Sequence, residues 1–182
     1  MIPSRFPDGL ERRAAVELRA GSGRRLEGYA AVFDVPASIG DFTETIRPGA
    51  FRASLASGRD VLALVDHDPS RLLARSASGT LRLSEDARGL RFEIDVPDTQ
   101  LGRDILALAE RRDLGGMSFG FRVKDEAWPA RDRRELRAVD LVEVSVVQAF
   151  PAYTATSIAA RARSAVPARL RLRRLYLETL PP

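Results

Sequence analysis

Residues 117–123 have the sequence MSFGFRV, and this alternation of large apolar residues with small or polar ones decides the fold class. Side chains on a strand point to opposite faces in turn, so a period of two predicts a half-buried β-strand. The large residues share one face of that strand: Met117, Phe119, Phe121 and Val123. Ser118, Gly120 and Arg122 share the other face. The segment therefore predicts a β-sheet that packs one face against a core.

Other segments with strand patterns lie on both sides of this one. They cover residues 15–19, 26–33, 61–65, 72–75, 80–84, 90–96 and 135–147. Turn residues separate the strands at 72–75, 80–84 and 90–96, which predicts an antiparallel meander. We also expect a helix that opens at Pro48 and a second one over about 101–112, capped by Thr99. The fold class predicted is mostly β (β/α mixed), an antiparallel β-barrel flanked by a few helices.

A length of 182 residues suits one domain, or one domain with a tail. Residues 1–12 are polar and contain two prolines, so we expect a flexible N-terminal segment. The domain itself is predicted to span 13–158. Residues 159–182 are rich in arginine and poor in acids, which predicts a basic C-terminal tail or helix. Residues 125–133 are expected to form a charged loop.

Composition excludes several kinds of chemistry. The chain has no cysteine and one histidine, His67, so disulfides, thiolate chemistry, Cys-based zinc sites and multi-histidine metal clusters are excluded. We expect no metal and no cofactor. If a neutral imidazole moves a proton in this protein, His67 must supply it. No apolar run approaches the ~20 residues of a membrane span, and the N-terminus has no apolar signal core, so we expect a protein that is not exported.

The basic residues are almost all arginine, since Lys124 is the single lysine among 29 basic residues, and the net charge is +4. We interpret this bias as the codon usage of a GC-rich genome. The alternative is a nucleic-acid binder centred on the basic tail. Against it, 25 carboxylates are spread among the arginines, and few aromatic residues lie in the basic runs.

Three residues are candidates for chemistry. His67 follows an apolar strand and lies between Asp66 and Asp68, where a surface or structural role is the alternative to catalysis. Ser118 is expected to point outward beside Gly120, whose missing side chain leaves room for a substrate backbone; the alternative is an ordinary strand serine.

Glu143 interrupts the apolar run LVEVSVV at 141–147. A buried carboxylate is costly unless it is paired, so one reading makes Glu143 the acid of a Ser–His–acid relay. Two alternatives stay open: a salt bridge to an arginine, or a solvent-facing side of the strand that Glu143 shares with Ser145.

Several of these segments together resemble the HK97-type prohead proteases, which are capsid-maturation serine proteases of tailed phages, prophages and gene-transfer agents. The segments are LEGYAAVF at 26–33, RPGAF at 47–51, DHD at 66–68, GMSFGF at 116–121, LVEVSVV at 141–147 and PAY at 151–153. The resemblance covers about 26–158, in the family's order. It implies a fold related to that of the herpesvirus assemblins, a β-barrel wrapped by helices.

The resemblance implies that Ser118 is the nucleophile and His67 the general base. Assemblins use a second histidine, which this chain lacks, so a carboxylate or a dyad must serve instead. We favour Glu143, keep Asp140 in reserve and regard Asp66 and Asp68 as weaker candidates.

As a family member, the chain is expected to cut the scaffolding segment of the major capsid protein, and itself, inside the assembling procapsid in the bacterial cytoplasm. Self-association there and trimming of the basic tail are further expectations. The rival hypothesis is a non-catalytic capsid-assembly scaffold factor of the same fold. A short distance between Ser118 Oγ and a His67 ring nitrogen would favour the protease, and a wide one the scaffold factor.

Overall fold

The computed structural model describes residues 9–148, apart from residues 16 and 22. Within this part of the chain, strands form two sheets and two α-helices accompany them. The strands are β1 (Glu11–Ala15), β2 (Glu17–Ala20), β3 (Arg25–Val32), β4 (Ala37–Ile39), β5 (Phe42–Ile46), β6 (Leu62–Val65), β7 (Asp68–Arg75), β8 (Leu81–Glu85), β9 (Gly89–Asp95), β10 (Gly116–Ala130) and β11 (Arg133–Val147). The helices are α1 (Arg52–Ala56) and α2 (Gln100–Arg111), and Ser76–Ser78 forms a 3₁₀ turn.

The larger sheet has seven strands and is organised around β11. Its order is β1-β10-β11-β5-β4, and β6 also pairs with β11 and carries β7 on its other side. The first part of β11 pairs with β5 and the last part with β6, in both cases in parallel. The pairs of β10 with β1 and with β11 are antiparallel. The last part of β11 is therefore held between β10 and β6, which positions the site described below.

The smaller sheet has four antiparallel strands in the order β2-β3-β9-β8. Its strand β3 contacts β1 and β10 of the larger sheet. Large side chains from both sheets, together with Phe51 just before α1, are fully buried: Leu26, Leu90, Phe92, Ile94, Phe51, Met117, Phe119, Phe121 and Val144. The apolar face predicted for 117–123 thus packs into this core, as alternation on a strand requires.

Helix α2 begins where its cap residue predicts. The hydroxyl of Thr99 accepts a hydrogen bond from the Gly102 backbone N–H at 3.1 Å, which satisfies one of the free donors of the first turn. Ile105 and Ala109 are buried on the inner side of the helix. Helix α1 forms at the predicted place, but it is only five residues long.

The expected mostly β class with two helices is confirmed, but the closed barrel is wrong. Neither sheet in the described part of the chain closes on itself, and each path ends in strands with a single partner. Nothing in this topology supports the assemblin-like barrel. The predicted meander is wrong at its first strand, since β7 pairs with β6 in the larger sheet, whereas β8 and β9 form the expected antiparallel pair.

The charged loop predicted at 125–133 is wrong. Strand β10 continues to Ala130, and the hairpin turns between Ala130 and Arg133, so most of the expected loop is strand. Strand β5 (FTETI) was not predicted either. Residues 15–19 were predicted as one strand, but they contribute to β1 and β2, which lie in different sheets.

Strand β1 starts at Glu11, so it contains the last two residues of the segment expected to be flexible. The predicted basic tail at 159–182 lies outside the described residues. Among the residues that are described, no helix is long and apolar enough to cross a membrane.

Candidate active site

His67 lies in a tight turn rather than on a strand. Asp66 and His67 form the two-residue loop of the β6–β7 hairpin, and their φ angles are 53° and 62°. Two consecutive positive φ values define a type I′ turn, in which Asn-Gly is the usual pair. Holding residues other than glycine in this conformation costs on the order of 1–3 kcal/mol each, and such strain is common at functional sites.

Asp66 anchors this turn to the end of β11. Its backbone N–H donates to the Val146 carbonyl at 2.9 Å. Its carboxylate accepts from the Gln148 backbone N–H at 2.9 Å and from Arg71 Nη1 at 2.7 Å. The Asp66 carboxylate thus binds Gln148 and Arg71 and not the His67 imidazole. Through these bonds Asp66 fixes the position of the turn that carries His67.

The imidazole of His67 contacts the carboxylate of Glu143 on β11. The distance from His67 Nδ1 to Glu143 Oε1 is 2.6 Å, with the Glu143 side chain 6% exposed and that of His67 21% exposed. A carboxylate at Nδ1 selects the tautomer that carries its proton there. The second ring nitrogen, Nε2, is then an acceptor and can take a proton from a substrate or a nucleophile.

Ser145 holds the other oxygen of the same carboxylate. Its hydroxyl donates to Glu143 Oε2, and the residue is fully buried. The hypothesis that Glu143 and Ser145 mark a solvent-facing side of β11 is therefore wrong. The alternative of a salt bridge from Glu143 to an arginine has little support. Arg12 Nε lies 3.8 Å from Glu143 Oε1, which is beyond hydrogen-bond distance.

The other acids considered for the relay have different partners. Asp140 is paired with Lys124 Nζ at 2.9 Å and with Arg59 Nη1 at 3.0 Å, and the Lys124 ammonium lowers the pKa of this carboxyl. Asp68 accepts from the backbone and the hydroxyl of Ser70. Among the described contacts, only Glu143 joins a carboxylate to the imidazole.

Ser118 lies on the same face of the sheet as Glu143. It pairs directly with Ser145 across β10 and β11, and paired residues of an antiparallel ladder share a face. Ser118 is 1% exposed, so the expectation that it points outward is wrong. Its hydroxyl donates to the Arg13 carbonyl at 2.8 Å, and none of the hydrogen bonds between described residues joins it to His67.

The space above Gly120 is occupied by Glu143. The two residues pair across β10 and β11. A Cβ placed on Gly120 would lie 3.1 Å from both Cγ and Cδ of Glu143, and closer still to Oε1. The room that we expected for a substrate backbone is therefore filled by the acid that contacts His67.

A histidine whose Nδ1 contacts a buried carboxylate is one half of the relay that serine hydrolases use, and Ser118 lies on the same sheet face without a hydrogen bond to His67 among the described contacts. Residues 11–169 match the family described as caudovirus prohead serine protease. The chain belongs to this family. No curated protein and no solved structure matched the chain.

Membership in the prohead protease family agrees with the resemblance seen in the sequence and gives the general class: a serine protease of capsid maturation in tailed phages. The match covers β1 to β11, so every residue of the site described above lies within it. Among the described residues, no group of three or more His, Asp or Glu side chains could hold a metal ion.

Two residues of this prohead protease site were missed by the sequence analysis as contributors. The spacing of two residues placed Ser145 on the same side as Glu143, but that side was considered only as solvent-facing, so its hydrogen bond to the carboxylate was not anticipated. Nothing in the sequence indicates that Arg12 lies near Glu143, because its position depends on the pairing of β1 with β10, which is over 100 residues away.

Proposed function

We propose that the chain is a serine endopeptidase in which Ser118 is the nucleophile, His67 the general base and Glu143 the residue that orients the imidazole. The observation that carries this proposal is the 2.6 Å contact between His67 Nδ1 and Glu143 Oε1, on a sheet face that also holds Ser118. Family membership supports the serine chemistry.

The reaction begins when Ser118 Oγ attacks the scissile carbonyl carbon and neutral His67 takes the hydroxyl proton at Nε2. The imidazolium formed is stabilised by the Glu143 carboxylate, and it then protonates the leaving amine. Water hydrolyses the acyl-enzyme with His67 acting again as base. A positioned base of this kind contributes roughly 10²- to 10⁴-fold to the rate.

Ser118 must break its hydrogen bond to the Arg13 carbonyl before it can give its proton to His67. A typical intramolecular hydrogen bond contributes about 0.5–1.5 kcal/mol, so this rearrangement has a small cost. The hydroxyl direction is also the observation that favours the rival function, a scaffold factor that retains the fold but does not cut.

The substrate that we propose is the scaffolding segment of the major capsid protein, together with the protease chain itself, inside the procapsid. Self-association of the protease within the procapsid is part of this proposal. Membership in the prohead protease family supports a role in capsid maturation in general, and the specific substrate follows from the resemblance.

The test compares two serines that face each other in the site. The capsid protein of the same genome is co-expressed with wild type, Ser118→Ala or Ser145→Ala, and the products are sequenced. We expect cleavage by wild type, none by Ser118→Ala, and reduced but detectable cleavage by Ser145→Ala. Circular dichroism checks that each variant is folded.

Normal processing by Ser118→Ala would refute the assignment of the nucleophile. Absence of cleavage by wild type under the same conditions would favour the scaffold factor. A fluorophosphonate probe, which labels activated serines, gives an independent answer: peptide mapping should place the label on Ser118 and not on Ser145.

A further inference from the structure

The side chain of Glu143 reaches from its own strand across the neighbouring one. It starts on β11 opposite Gly120 of β10 and lies over that glycine. Its Oε1 atom ends between two nitrogen atoms, His67 Nδ1 at 2.6 Å and Arg12 Nε at 3.8 Å. Since Arg12 is on β1, directly opposite Gly120, the carboxylate lies beside side chains that come from β1 and from the β6–β7 turn.

Arg12 is unusual among the polar groups of the described part of the chain. Its Nε is a buried side-chain nitrogen without a hydrogen-bond partner there. Buried polar groups are nearly always paired, so an exception needs an explanation. The Glu143 carboxylate, which contacts the imidazole, lies 3.8 Å from Arg12 Nε.

We propose that Gly120 and Arg12 are positioning residues for Glu143. Gly120 provides the space in which the side chain lies, and the Arg12 guanidinium, whose Nε is 3.8 Å from Oε1, helps to keep the carboxylate directed toward His67. This inference rests on the proposed function, because it assumes that Glu143 orients the imidazole. It assigns to Gly120 the role of making space for the Glu143 side chain, in place of the expected role of leaving room for a substrate backbone.

The test for Gly120 is a double-mutant cycle with Glu143. Gly120→Ala is made in wild type and in a Glu143→Ala background, where the side chain that would collide with the new methyl group is absent. Initial rates are measured on the purified capsid protein precursor, and melting temperatures are measured for all four proteins.

In wild type we expect Gly120→Ala to lower kcat by at least tenfold with KM changed by less than about twofold, because the displaced carboxylate no longer meets His67. In the Glu143→Ala background we expect no further loss of kcat and no further fall in melting temperature. An equal loss in both backgrounds, or a rise in KM in both, would overturn the proposal, since Gly120 would then serve substrate binding or the fold.

The test for Arg12 uses a conservative pair and a matched control. Arg12→Gln is expected to lower kcat about tenfold with little change in KM, and Arg12→Lys to retain most of the activity because it keeps the charge. Arg137→Gln removes a half-exposed cation from β11 and should have no effect. An unchanged kcat in Arg12→Gln, or a change in KM alone, would contradict a positioning role.

Failure of this inference can be told apart from failure of the proposed function. If Ser118→Ala cleaves normally, the nucleophile assignment is wrong, yet the steric coupling between Gly120 and Glu143 would still be seen in the melting temperatures. If Ser118→Ala is inactive and the cycle shows no coupling in kcat, only the positioning role is wrong.

Discussion

Arg12 and Arg13 are neighbours on β1, and they have opposite environments. Arg13 points to the inner face of the sheet, where its guanidinium lies over the Phe121 ring and is bound by Glu44 at 2.6 and 2.8 Å and by Glu11 at 2.7 Å. Arg12 points to the other face, toward Glu143, and its buried Nε has no hydrogen-bond partner among the described residues.

Arg13 belongs to an ionic cluster, which consists of Glu11, Arg13, Glu44, Glu126 and Arg134 and is buried at Arg13, Glu44 and Arg134. Arg134 bonds Glu11 at 2.7 Å, Glu44 at 2.9 Å and Glu126 at 2.6 Å. The ionic cluster therefore connects β1, β5, β10 and β11. With Glu44 only 2% exposed, its charges are compensated by partners on several strands.

The two faces of this sheet differ in how their charged groups are paired. On the inner face, the charged groups of the ionic cluster pair with one another, which is the condition under which buried ions are tolerated. On the other face, a donor is left without a hydrogen bond beside the acid that contacts the imidazole. We expect changes on the inner face to alter unfolding and changes on the other face to alter catalysis.

The largest expected effect is that of Glu143→Gln on the site. The amide keeps the shape of the side chain but loses the charge that stabilises the imidazolium, so kcat should fall roughly 10²- to 10⁴-fold with little change in melting temperature. Cleavage rates and thermal unfolding measured on the same samples check this. A variant that unfolds while the folded fraction keeps its activity would make Glu143 a structural residue.

Next in size is the effect of Glu44→Gln on the ionic cluster. Removing this carboxylate leaves Arg13 and Arg134 less compensated in a buried setting, which typically costs about 3–5 kcal/mol of stability. Chemical denaturation measures the loss, and kcat of the folded protein should not change. The control is Glu135→Gln, which removes a surface ion pair with Arg137 and should cost about 0–1 kcal/mol.

A smaller effect is expected from pH acting on Glu11. Burial raises the pKa of this carboxyl, but hydrogen bonds and charge from Arg134 and Arg13 outweigh burial and hold it below its usual value. Because the pKa of Glu11 is lower in the folded than in the unfolded state, its ionised form stabilises the fold at pH values above the unfolded-state pKa. This stability is lost as pH falls through the folded-state pKa.

The measurement for Glu11 is the free energy of unfolding at neutral and at acid pH, for wild type and for Glu11→Gln. The variant should be less stable at neutral pH, and it should lose less stability on acidification than wild type does. Parallel pH curves for the two proteins would show that Glu11 does not contribute to the acid sensitivity.

The smallest effect is expected for Ser145→Ala. The hydroxyl that it removes holds one oxygen of Glu143, while the contact with His67 uses the other. Loss of one hydrogen bond of about 1 kcal/mol corresponds to roughly a fivefold to tenfold fall in kcat. Complete loss of cleavage with the fold intact would instead point to Ser145 as the nucleophile.

Local pattern was enough to predict much of the molecule. Alternation predicted most of the strands, and a cap predicted α2. The residue pattern singled out Ser118 and His67 as candidates, and the resemblance implied their roles. The contact of Glu143 with His67 was anticipated as a hypothesis, because a carboxylate in an apolar run needs a partner. These features depend on residues close in sequence or on a family pattern.

The features that were missed depend on partners distant in sequence. β6 pairs with β11 in parallel although about 80 residues separate them, and no local signal specifies such a pairing or its register. The charged end of β10 resembled a loop because residues 124–126 are exposed, and only their pairing with the distant strand β11 shows that they belong to a strand. Likewise, Gly120 could be interpreted only after Glu143 was found opposite it.

Strand β11 is the last of the described strands along the chain, yet it joins β10, β5 and β6 in the larger sheet. On the ribosome, the earlier strands of this sheet have only their hairpin or edge partners until β11 emerges. Glu143 arrives with it, so a nascent chain that ends before β11 has neither the assembled sheet nor the proposed relay. Glu143 is therefore available to the proposed relay only after β11 has been synthesised.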